Sequence, residues 1–157
     1  MEPLRLAFTV GCAPEHAFAV WAQRTSLWWP KSHSVSADPE LTVTFEPRPG
    51  GRIFERTPAG EEHDWGEVVS WEPPRRLAYL WHLRQDRADA TRVEVSFDAA
   101  AEGTAVTIVH SGWERLGARG EALRERNQRG WGGLVPHFER ACAAGWPDLD
   151  RRAGSCP

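Results

Sequence analysis

Between residues 41 and 111 the chain is a run of short alternating segments cut apart by turn residues, and that rhythm limits its fold most. LTVTFE (41–46) alternates apolar and polar side chains, the dense turn signal PRPGG (47–51) follows, and RIFERT (52–57) pairs back across it. Further turns at PAGEE, PPR, QDRADA and DAAAEG separate HDWGEVVSWE (63–72), RLAYLWHLR (76–84), TRVEVSF (91–97) and TAVTIVHS (104–111). LRLAFTV (4–10) shows the same alternation near the start. Seven strands joined by turn-type connections predict an antiparallel sheet.

Helical patterns flank these strands. Pro14 suits the first position of a helix, and PEHAFAVWAQ (14–23) puts Ala17, Phe18, Val20 and Trp21 on one face. TSLWWP (25–30) reads as a second short helix or turn, stopped at Pro30. Residues 117–145 read as one long helix. Its apolar face holds Leu123, Trp131, Leu134, Val135, Phe138, Ala141 and Cys142, while Arg124, Glu125, Arg126 and Arg129 belong to a solvated face. The middle of this helix is weak. Gly130, Gly132 and Gly133 each cost ~1 kcal/mol relative to Ala, and Pro136 removes a ladder hydrogen bond, so a bend or loosening is expected within a turn of Pro136.

The order β, α, α, six β, α defines an α+β class. Seven strands expose more apolar surface than one helix covers. A cavity between sheet and C-terminal helix is therefore expected, roofed by residues 131–138 and bordered by Trp131 or Phe138.

A chain of 157 residues suits a single domain, expected over 1–146, with a polar tail at 147–157. The net charge of -3 gives no ground for nucleic-acid binding. No apolar run approaches the roughly 18 residues of a membrane span, and MEPLRLAFTV lacks a signal-peptide plan, so a cytoplasmic protein is expected. Cys12, Cys142 and Cys156 are odd in number and lack ligand spacing. The glycines of PRPGG and RGWGG fit no phosphate loop, and no G-x-S-x-G elbow appears. No cofactor, metal or catalytic triad is therefore expected.

Five segments carry a resemblance: WWPKSHSVS (28–36), FEPRPGGRIFER (45–56), EHDWGEVVSWEPPRRLAYLWH (62–82), HSGWERLG (110–117) and RGWGGLVPHF (129–138). Together they resemble the START-like, SRPBCC superfamily. Within it they are similar to the bacterial group named after the C-terminal domain of the heat-shock-chaperone ATPase activator. The resemblance implies a helix-grip fold, in which a curved sheet wraps around the last helix and encloses a cavity for apolar molecules. Some members of the superfamily are enzymes.

Nine tryptophans against one tyrosine and one methionine suit an aromatic pocket or a stiff core. The aromatic candidates for a ligand site are Trp29, Phe45, Phe54, Trp65, Trp81, Phe97, Trp131 and Phe138, and the polar ones are Glu55, His82 and His110. His110 continues the phase of Val106 and Ile108 and is expected to face the cavity near its mouth. The strand at 63–72 stays open. Either His63, Trp65, Glu67, Val69 and Trp71 point inward, or Asp64, Gly66, Val68 and Ser70 do. His63, His82 and His110 lack the short spacing of a metal site.

The expected role is binding of a small apolar or aromatic ligand. The alternatives are a cyclase- or hydrolase-type enzyme with His110 or Glu55 as acid or base, and a chaperone-associated or stress-response module. An uncovered sheet edge would permit a homodimer.

Overall fold

Turn chemistry cuts the strands apart close to where the sequence places them. A computed structural model describes residues 1–144; the tail expected at 147–157 lies outside the described residues. The strands are β1 (Leu4–Val10), β2 (Thr42–Phe45), β3 (Arg52–Arg56), β4 (Glu62–Glu72), β5 (Arg76–Trp81), β6 (Thr91–Ala100) and β7 (Gly103–Ser111). Helices α1 (Pro14–Gln23) and α2 (Thr25–Trp28) follow β1, and α3 (Gly120–Ala143) ends the described chain.

The sheet order is β1-β7-β6-β5-β4-β3-β2, antiparallel throughout. β2 to β7 form a meander. β1 closes the far edge against β7, with Leu4 opposite His110. α1 and α2 carry the chain between the two edges. This is the α+β helix-grip arrangement that the resemblance implies.

The inner face of the sheet is the alternating set. Val93, Val95 and Phe97 on β6, with Val106, Ile108 and His110 on β7, are all buried. α1 and α3 meet over them. Trp21 stacks on Trp131 with ring centres 5.9 Å apart and meets Phe138 edge-on at 5.0 Å. Such aromatic pairs are worth about 0.5–1.5 kcal/mol beyond the area they bury.

β4 follows neither of the two phases that alternation allows, because two β-bulges interrupt it. Phe54 pairs with Asp64 but Ile53 with Gly66, leaving Trp65 as an extra residue. Val68 pairs with Tyr79 but Ser70 with Ala78, leaving Val69 as another. Each extra residue shifts the alternation by one. Trp65 and Val68 are therefore both buried, Val69 is exposed, and Trp71 returns to the interior against Phe18. Gly66 is required here. A Cβ on it would lie 2.0 Å from the Leu80 carbonyl oxygen.

α3 starts later than residue 117. Two 3-10 turns over Trp113–Arg119, broken at Gly117 with φ 59, precede it and bury Trp113 and Leu116. The loosening expected near Pro136 does not interrupt the helix, which is continuous from Gly120 to Ala143. Pro136 lies on the exposed side, and the residue whose carbonyl it leaves unpaired, Gly132, is exposed as well, so water can serve that oxygen. No described helix is long and apolar enough to cross a membrane.

Candidate ligand-binding site

Where β5 hands over to β6 the chain leaves the sheet through residues 82–90, with a 3-10 turn at Arg87–Asp89. The first half of α3 and the turns before it stand opposite. Between them lies a cavity of about 300 Å³, at the lower end of small-molecule sites. Four indoles wall it: Trp29 after α2, Trp81 at the end of β5, Trp113 and Trp131. Leu83, Leu116, Leu123 and Leu134 add apolar surface, and Thr91 a buried hydroxyl. The mouth is polar, with His33, His82, Arg84, Gln85, Arg126 and Asn127 around it.

The helical contribution has a regular spacing. Leu123, Arg126, Asn127, Gly130, Trp131 and Leu134 all face the cavity, and they recur at three- and four-residue steps along one side of α3. Polar residues and a glycine inside an otherwise apolar stripe mark the place where the helix faces a void. The roof thus lies one to two turns nearer the start of α3 than expected. Trp131 borders the cavity, whereas Phe138 packs away from it among Phe8, Trp21 and Trp28.

His110 does not face the cavity near its mouth as strand phase suggested: it stands directly behind the wall, fully buried, with Trp131 and Thr91 between it and the cavity. Its Nδ1 accepts the Trp131 indole N–H at 3.0 Å. The proton of the neutral ring therefore sits on Nε2, which donates to Thr91 Oγ1 at 2.6 Å. The Thr91 hydroxyl in turn points to the Trp81 carbonyl at 3.5 Å. Trp113 covers the imidazole face with ring centres 4.3 Å apart and donates its N–H to the His110 carbonyl at 2.9 Å. Burial lowers the His110 pKa from 6.5 to about 3, so the ring is neutral at ordinary pH. Two of the four indoles, Trp113 and Trp131, are thus fixed around one uncharged imidazole, and neither ring nitrogen is left for proton transfer.

Glu55 is also fully buried, as an anchor for the segment after α2. Its carboxylate accepts the Val35 N–H at 2.6 Å, the Ser36 N–H at 3.1 Å and the Ser36 hydroxyl at 2.6 Å. The Trp65 indole N–H adds a fourth bond at 2.8 Å. Burial is the largest single influence and works to raise its pKa. The hydrogen bonds from Ser36, Val35 and Trp65 together outweigh it, and the net shift is down. A carboxylate held ionised by four donors braces a loop. It is not free to exchange a proton with a ligand.

The remaining candidates sort by geometry. Trp29, Trp81, His82 and Trp131 line the cavity. Trp65 sits behind Trp29 and Trp81 at 5.3 and 5.7 Å. Phe45 packs edge-on against Tyr79, and Phe97 packs against Phe18 and Trp21. Phe54 faces outward, because β3 alternates and its neighbours Ile53 and Glu55 are the buried ones; the Arg52 guanidinium covers its ring at 4.2 Å. His63 lies beside Glu61 on the surface, and Asp64 and Glu67 are tied to Arg52 and Arg87. Among the described residues no three His, Cys, Asp or Glu converge as metal ligands.

Trp113, Thr91, Arg84 and Arg126 were missed from sequence. Trp113 follows Gly112, whose φ of 97 turns the chain out of β7, so it belonged to no periodic element. Arg126 went to the solvated face on charge alone, although its spacing from Leu123 and Leu134 fits the cavity stripe.

The profile of the family described as Activator of Hsp90 ATPase homolog 1-like protein matches residues 12–143. The chain belongs to this family. Among solved structures, this family member resembles an anthrahydroquino-gamma-pyrone synthase, Txn09, at 32% identity over 78% of this chain and 84% of that one, with a TM-score of 0.56. Protein MLL2253 from Mesorhizobium loti matches at 18% identity, covering 88% of this chain and 94% of that one, TM-score 0.65. A Rhodobacter sphaeroides protein matches at 20% identity, covering 91% and 93%, TM-score 0.66. The last two likenesses carry the fold alone. Comparison with curated proteins returns no match.

Proposed function

We propose that this member of the family is a small-molecule-binding protein whose cavity takes a flat, largely apolar aromatic ligand. The observation that carries this reading is the 300 Å³ space walled by four indoles, two of them fixed by hydrogen bonds to His110 and a third, Trp29, by one to the His33 carbonyl. Indoles held in place by hydrogen bonds lose little freedom when a ring slides between them, which favours binding. Apolar burial supplies the driving force at about 25 cal/mol per Å².

The test is a titration of the intrinsic tryptophan fluorescence with bi- and tricyclic aromatics, alongside thermal unfolding. Saturable quenching with a raised melting temperature, both weakened by Trp131→Ala, is the expected result. No saturable signal from any aromatic class would overturn the reading.

A second reading is enzymatic and draws on the likeness to the synthase Txn09. The same cavity would then fold a reactive chain into the geometry in which it cyclises, through proximity and orientation. Neither buried candidate supplies an acid or base for it, since His110 is neutral with both nitrogens engaged and Glu55 is held by four donors. Of the two readings, binding is the better supported. A chaperone-docking role would call for a continuous exposed apolar patch, whereas among the described residues the exposed large apolar side chains, Met1, Leu27, Val35 and Val69, come from four separate segments of the chain.

A further inference from the structure

The cavity's mouth carries an excess of positive charge that its apolar wall does not require. Arg84 and Arg126 line it, and Asp89 is the only carboxylate among the lining residues. Asp89 is already paired with Arg119 at 3.1 Å. Elsewhere, Arg52, Arg56, Arg76 and Arg92 on the sheet and Arg87 in the turn before β6 each reach a carboxylate. Arg84 and Arg126 reach none among the described residues. Arg84 moreover adopts φ 60, a left-handed backbone that a residue with a Cβ rarely takes and that tends to mark positions where presentation of the side chain matters.

One wall group is also unmatched. The indole N–H groups of Trp29, Trp113 and Trp131 are given to the His33 carbonyl, the His110 carbonyl and His110 Nδ1. That of Trp81 has no acceptor among the described residues, although its ring lines the cavity. An indole N–H at a site closed by a ligand calls for an oxygen on that ligand.

We propose that the ligand is a planar aromatic acid. Its rings lie between the indoles, a ring oxygen accepts from Trp81, and a carboxylate at one end is gripped by Arg84 and Arg126 at the mouth. Paired guanidinium and carboxylate groups form short, charge-assisted hydrogen bonds, and two arginines can hold both oxygens. The proposal rests on the cavity reading above and narrows it from any apolar aromatic to an anionic, oxygenated one.

Anthraquinone-2-carboxylate and its uncharged isostere anthraquinone-2-carboxamide separate the two readings when each is titrated by tryptophan quenching. The acid should bind about tenfold tighter than the amide at low salt, with the gap narrowing as salt rises. In the R84Q/R126Q double variant, checked for an unchanged melting temperature, the acid's affinity should fall to that of the amide. Equal binding of acid and amide by the native chain, or an acid preference that survives the double variant, overturns the aromatic-acid proposal and leaves the cavity reading standing. Saturation by neither compound overturns both.

Discussion

His110 ties Trp113, Trp131 and Thr91 together, and its neutrality has a cost that pH exposes. Its folded pKa is about 3 against 6.5 when free. Between those values the unfolded chain takes up a proton that the folded chain refuses. The resulting stability is complete above pH 6.5 and is lost as pH falls toward 3, by about 1.4 kcal/mol per pH unit at the steepest. Urea unfolding between pH 7.5 and 4.5 should show this slope, and His110→Gln should flatten it. Parallel profiles for the two proteins would refute the assignment. Glu55 has the same sense at lower pH, since its pKa is lowered from 4.5. Glu55→Gln turns an amide NH2 toward a site built of donors, and should cost about 2 kcal/mol, or roughly 4–8 °C in melting temperature. Strand phase made the inward direction of His110 legible in the sequence. Its protonation state was not, because its partners Thr91 and Trp131 lie on other elements and only the tertiary fold brings them together.

Elements announce themselves by period, and they mislead where the period breaks. The bounds of β1 and α1 follow from alternation and from Pro14, and the structure keeps them. β4 was undecidable because its bulges at Trp65 and Val69 put residues from both candidate phases on the inner face. β5 ends at Trp81, short of residue 84, because His82 to Gln85 form a turn in which the Gln85 N–H donates to the His82 carbonyl. The glycines of β4 and α3 answer to different demands, and substitution separates them. Gly133 is exposed, its φ is unremarkable, and a Cβ there would meet nothing within 4 Å. Gly133→Ala should raise stability by about 0.5–1 kcal/mol. Gly66→Ala should lower it by about 2 kcal/mol or more, since its Cβ would run into the Leu80 carbonyl. Paired melting curves check both signs. A stabilised Gly66→Ala would mean that the bulge is not where the register puts it.

At the scale of the molecule, a sheet too wide for one helix made a cavity foreseeable, but its position was not. Strand order alone does not reveal that Trp113 and Leu116, read as part of a connection, would form a wall. Nor does it show that Phe138, the most apolar point of α3's second half, would fill the centre. Leu123 is half-buried at the cavity, so it has room to grow. Leu123→Phe should leave stability within about 1 kcal/mol of the native chain and weaken any cavity ligand by about tenfold or more. A binding isotherm unchanged by this variant would move the ligand elsewhere.

The pairing of β1 with β7 has a consequence in time. Leu4 leaves the ribosome early and must wait for His110 before it has a hydrogen-bonding partner. The last of the four indoles, Trp131, is made later still. While synthesis proceeds, the amphipathic β1 has no edge to join, and the meander from β2 onward grows without its closing strand. Non-local pairing of this kind slows folding and leaves apolar surface open to other chains. The cavity's lining runs from Trp29 to Leu134, so its wall can be complete only once nearly every described residue has been made.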